Sequence, residues 1–200
     1  MKVSLVKVHY ALLSIALTVA FAVAGSQPAA AGDKGGDKGK GHQIQLSDFA
    51  GTYAEAAQGS IVLCFDSGGA SVACGTSGAA IVPFTYLSVG PVIRDASGNA
   101  CGSFTQTLAD VPPDAKPPLV SQFQVGAKNT SYDPNTGTGD CSFTSFNGAT
   151  CTGATATGGT VIGTGTCHFT ASEGGDRLDF ILTTLAGVGA FSISGFDHRE

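Results

Sequence analysis

From Asp48 onward the chain alternates short apolar runs with clusters of Gly, Ser, Thr, Asn, Asp and Pro at intervals of about ten to fifteen residues. Within the runs the period is two. Leu119, Ser121, Phe123, Val125 and Ala127 share one parity, and Gln122, Gln124 and Lys128 take the other. Such a segment fits a strand with one buried and one wet face. Leu178, Phe180 and Leu182 alternate with Asp179 and Thr183, though Ile181 blurs the pattern; Val161, Cys167 and Phe169 oppose Thr164, Thr166, His168 and Thr170, which points His168 outward. Further strands are predicted over Thr52–Ala57, Ser60–Asp66, Ala79–Arg94 with bends at Pro83 and Pro91, Cys101–Leu108, Ser142–Phe146 and Gly189–Phe196. Asp95–Asn99 and Asp133–Asp140 read as turns, the proline-rich 111–118 as a connecting loop, and Thr150–Thr166 as strand, turn and strand.

Eight or nine strands without helical periodicity predict an all-β domain, a single antiparallel up-and-down barrel of about eight strands, with a β-sandwich as the alternative. Composition agrees: 29 glycines, 12% charged residues and no tryptophan leave little for a helical bundle.

The N-terminus belongs to a different problem. Lys2 and Lys7 precede an uncharged apolar stretch from Val8 to Ala24, followed by the small-residue patterns Ala22-Val23-Ala24 and Ala29-Ala30-Ala31. Residues 1–31 therefore read as a secretory signal peptide. Residues 32–42, GDKGGDKGKGH, contain nothing to bury and read as a flexible Gly/Lys/Asp tail, leaving 43–200 as the barrel domain. In that domain five basic residues face thirteen acidic ones, a formal charge of −8. Nucleic acid is thereby excluded as a partner, since its affinity comes mainly from Lys and Arg.

Cys64, Cys74, Cys101, Cys141, Cys151 and Cys167 all lie in the exported part, and their even number predicts three disulfides and a secreted or periplasmic protein. Fifteen pairings exist. Cys64–Cys74 and Cys141–Cys151 would each close a short turn-rich loop, which leaves Cys101–Cys167. Zinc is disfavoured because there is no CxxC and only one neighbouring His.

Catalytic signatures are sparse. There is no GxSxG elbow, and beyond the tail only His168 and His198 could serve as His bases, one outward on a strand and one near a fraying end. Asp133, Asn135 and Asp140 invite calcium, but Gly137 occupies the third ligand position and no downstream Glu stands at the required distance. No catalytic residue, metal or cofactor is assigned.

Leu46-Ser47-Asp48-Phe49-Ala50-Gly51-Thr52-Tyr53 and Arg94-Asp95-Ala96-Ser97-Gly98-Asn99-Ala100-Cys101-Gly102 resemble segments of secreted bacterial proteins of uncharacterised role with lipocalin-like, calycin-type barrels. Where lipocalins proper carry Gly-x-Trp, this chain has Gly51-Thr52-Tyr53. The resemblance implies an eight-stranded barrel with room for its own side chains or one small ligand. The expected function is a non-enzymatic barrel binding a small apolar or amphipathic molecule among the inward residues Phe123, Val125, Phe169, Leu178, Phe180 and Leu182. The alternatives are a surface interaction protein with a solid interior and, behind it, a barrel-pocket isomerase or cyclase. An integral outer-membrane barrel is disfavoured by wet faces carrying Gln, Lys and Thr.

Overall fold

The computed structural model describes residues 43–110 and 118–200; the predicted signal peptide, tail and most of the proline-rich loop lie outside them. The strands are β1 (Gly51–Phe65), β2 (Ser71–Val72), β3 (Ala80–Arg94), β4 (Ala100–Asp110), β5 (Leu119–Asp133), β6 (Thr138–Asn147), β7 (Thr150–Thr152), β8 (Thr155–Thr157), β9 (Thr160–Ser172), β10 (Arg177–Leu185) and β11 (Phe191–Arg199), with 3-10 turns at Leu46–Phe49 and Glu173–Gly175. Eight of them run in the order β11-β10-β9-β6-β5-β4-β3-β1, every neighbour antiparallel. Pairing of β1 with β11, from Tyr53 opposite Arg199 to Ile61 opposite Phe191, closes the sheet. The fold is a closed eight-stranded antiparallel barrel, which excludes the sandwich.

The two strands expected over Thr52–Ala57 and Ser60–Asp66 are one. Gly59 between them is extended rather than turned, and its missing side chain lets the Ser192 backbone of β11 come close. His198, expected in a fraying end, belongs to the closing strand. Asp95–Asn99 is a turn as predicted: the Asp95 carboxylate accepts the Ser97 and Asn99 amides, and Gly98 takes a positive φ of 78°. Register shifts between Asn129 and Ser131, Ser145 and Phe146, and Leu182 and Thr184 interrupt the ladders. Such bulges raise the local bend that closure needs.

All six cysteines are paired, but two of the three expected pairs are wrong. Cys64–Cys74 forms as predicted; the others are Cys101–Cys151 and Cys141–Cys167. Cys141 and Cys151 are close only in sequence. Six residues of β6 follow Cys141, carrying the chain about 20 Å along the barrel before the turn that leads to Cys151. Cys141 instead faces Cys167 in the β6–β9 register, with Cα atoms 5.0 Å apart, inside the barrel. Cys101 has the opposite orientation. It leaves the outer face of β4 to meet Cys151 on the β7–β8 hairpin, which lies over β4 and β5. Gly126 of β5 leaves space there for Ala156. The segment read as strand, turn and strand, Thr150–Thr166, holds both strands of that hairpin and the start of β9.

One end of the barrel is filled from outside the sheet. Phe49 of the first 3-10 turn is wholly buried, edge-on to Tyr132 at 5.1 Å and to Phe169 at 6.1 Å between ring centres. Tyr53 holds the turn in place: its hydroxyl lies 3.0 Å from the Phe49 carbonyl oxygen and 2.7 Å from that of Gly175, sharing one proton between them. Arg199 at the end of β11 donates to the Tyr53 oxygen at 2.8 Å and to the Asp48 carbonyl, and its guanidinium stands 5.3 Å from the Tyr53 ring centre. The second 3-10 turn, the first one, β1 and β11 therefore meet at one phenol.

Two outcomes follow. Non-reducing peptide mapping should recover Cys101–Cys151 and Cys141–Cys167; a Cys141–Cys151 peptide would contradict the outer position of the hairpin. Tyr53→Phe removes the donor for two carbonyls and the acceptor for Arg199, so urea unfolding should show a loss of about 1–3 kcal/mol. An unchanged midpoint would show that the phenol is not a fastening.

Candidate functional site: an asymmetric cavity inside the barrel

The inward positions leave a cavity of about 270 Å³. Phe123, Val125, Phe169, Leu178, Phe180 and Leu182 all line it, together with Ala127, Phe143 and the Cys141–Cys167 bridge. Space survives because several rings lie against the wall rather than across the bore. Phe169 faces Gly139, Phe143 faces Gly165 and Phe180 faces Gly195 in the cross-strand registers. A Cβ at any of these glycines would collide with the ring it faces. Cross-strand aromatic and glycine pairs of this kind shield the bare backbone while keeping the ring flat.

The opposite wall carries polar groups. Glu55 of β1, Tyr86 and Arg94 of β3, and Gln106 of β4 line the same cavity. Sequence reasoning missed all four, and with them Asp197. Their only sequence signal was an inward parity shared with Tyr53, Ala57 and Val92, and charged residues at core positions are read by default as solvated.

Glu55 and Asp197 stand directly opposite one another on β1 and β11. Asp197 is 0% exposed, and its Oδ2 accepts Arg94 Nε at 2.9 Å and Arg94 Nη2 as well. Its Oδ1 has no partner among the described protein groups. Glu55 is half-buried and lines the cavity. Burial foremost, then the Asp197 charge and a hydrogen bond to Asp197, push the Glu55 carboxyl well above the usual carboxylate range, and Arg94 only partly opposes this. Burial works against the Arg94 charge, but Asp197 and Glu55 outweigh it and raise its pKa. Burial also raises the Tyr86 phenol; a Ser88 hydrogen bond lowers it and Glu55 raises it further.

The histidines and the Asp-rich turn stay outside this site. His168 projects outward, its Nδ1 2.9 Å from Asp140 Oδ1, beside a shallow outer hollow shared with Gln58, Leu87, Asp179 and Phe196. Asp133 takes the Asn135 amide and side chain within its turn, while Asp140 takes Ser131 and His168 from the neighbouring strands, so both carboxylates are already engaged. Among the described residues no group of three metal-ligating side chains converges, and no helix is long and apolar enough to cross a membrane. Comparison with family models, with characterised proteins and with solved structures returns no match.

The raised Glu55 pKa has a definite sign in stability. Between the ordinary carboxylate value and the folded one, the native state holds a proton that the unfolded chain releases. Native stability is therefore lost as pH rises through that window. Urea unfolding of the wild type from about pH 4.5 to 8 should show this fall, and Glu55→Gln, which keeps a donor toward Asp197, should flatten it. Identical pH profiles would place Glu55 in free contact with solvent.

Proposed function

We propose that the protein is an exported barrel that binds one small amphipathic molecule inside, without chemical conversion. The observation that carries this is the hollow interior itself, apolar on the β5, β6, β9 and β10 side and polar on the β1, β3 and β4 side. Ligand sites are typically apolar concavities with a few convergent polar groups. Size limits the ligand. A dry cavity of roughly 150 Å³ holds benzene, so about 270 Å³ suits a molecule of about a dozen non-hydrogen atoms rather than a long acyl chain.

A barrel with a solid interior acting only through its loops is less well supported, because the interior is not filled. Lipocalin-like kinship is supported by the eight-strand closure and by the placement of the Leu46–Tyr53 segment, whose 3-10 turn caps the barrel and whose tyrosine enters the core. Three disulfides indicate an oxidising environment and support export.

Gly163 gives a clean test. It lines the cavity, and a Cβ there would meet only Ser145 Cβ at 4.0 Å. Gly163→Phe should fill the space, keep or raise the melting temperature, and weaken uptake of a small aromatic probe roughly tenfold or more. Unchanged uptake in a folded variant would place binding elsewhere.

A further inference from the structure

With both carboxyls ionised, the charges that meet inside the barrel do not balance. Two carboxyl groups, Glu55 and Asp197, face each other across β1 and β11, and one guanidinium, Arg94, is engaged on a single Asp197 oxygen. The other described basic side chains are committed or outside: Arg199 to Asp176, Asp48 and Tyr53, Arg177 to Asp179, and Lys128 exposed on the outer parity of β5. Asp197 Oδ1 is buried without a partner. Around Glu55 the titratable and charged neighbours are Asp197 from β11, and Arg94 and Tyr86 from β3. None of these supplies a second positive charge.

Resting on the binding function proposed above, we infer that the ligand is a small organic cation, an ammonium group on an aromatic body, whose nitrogen pairs with Glu55 at the cavity wall, beside the opposed Asp197. Like carboxylates opposed across a strand pair repel each other, and either a proton or a cation relieves this. An ammonium carries several N–H donors on one centre. It therefore bonds the Glu55 oxygens that line the cavity and offsets the charge of Asp197 behind them. Beyond the polar wall, Phe123, Phe143, Phe169 and Phe180 line the bore and offer ring faces to an aromatic body. A ligand carboxylate would add a third anion to the same space and is excluded by the same argument.

The exchange balances simply. The ligand enters as R–NH₃⁺, Glu55 releases its proton to solvent, and the ammonium remains paired with the Glu55 carboxylate; no other bond forms or breaks. Affinity for the cation therefore rises with pH until Glu55 is ionised in the free protein, and binding below that point releases a proton.

Isothermal titration of the full exported chain with its disulfides intact, using 2-phenylethylamine, 2-phenylethanol and phenylacetate as probes in two buffers of different ionisation enthalpy, tests this. The amine should bind roughly tenfold or more tighter than the alcohol, release up to about one proton per molecule, and lose roughly tenfold or more on Glu55→Gln, while the alcohol is indifferent to that substitution. Phenylacetate should be the weakest of the three. Because the amine and alcohol are compared on the wild type, the test stands even if the variant folds poorly. Alcohol and amine bound equally, with no proton released, would overturn the cationic ligand and leave the binding cavity intact. Failure of all three probes on a folded protein would overturn both.

Discussion

Pairing of β1 with β11 from Tyr53 to Ile61, locked where Arg199 lies over the Tyr53 ring, is the constraint on which the remaining structure depends. Each strand of an open sheet edge leaves unpaired amides and carbonyls, and closure removes both edges at once. It also decides what lies inside. Only with β11 beside β1 does Asp197 come opposite Glu55, and only with β3 on the other side of β1 does Arg94 reach Asp197. The same junction brings the Phe49 plug against the end of the barrel, since the Tyr53 hydroxyl and Arg199 both hold backbone carbonyls of the capping turns.

The interior is hollow for a related reason. Small residues alone would leave the wall thin and the backbone bare, whereas large residues on every inward position would fill the bore. Alternation of Phe with Gly across neighbouring strands avoids both outcomes, because each ring covers the strand beside it. The apolar half of the cavity is built this way. The other half holds groups whose burial would be costly without partners, and the Arg94–Asp197 pair satisfies part of that cost internally.

The period-two pattern made the strands and their inner faces legible. Phe123, Val125, Phe169, Leu178, Phe180 and Leu182 were identifiable as inward because each lies in a run where parity separates apolar from polar residues. The turn at Asp95–Asn99 was legible through its Asp and Gly chemistry. Long-range pairing was not. Cys141 with Cys167 and Cys101 with Cys151 depend on strand order and on which face each residue takes, and neither follows from spacing. The same limit hid the polar wall: Glu55, Arg94 and Asp197 are far apart in the chain, and each alone looks like an ordinary surface charge until closure brings them together.

The raised pKa of Glu55 is where these arguments converge, since it depends on closure, on the position of Asp197 and on burial inside the barrel. A carbon-13 titration of the Glu55 side-chain carboxyl by NMR measures it directly. The account predicts a midpoint well above the ordinary value of 4.5, moving down toward that value when Asp197 is replaced by Asn. A midpoint at or below 4.5, insensitive to Asp197→Asn, would contradict it.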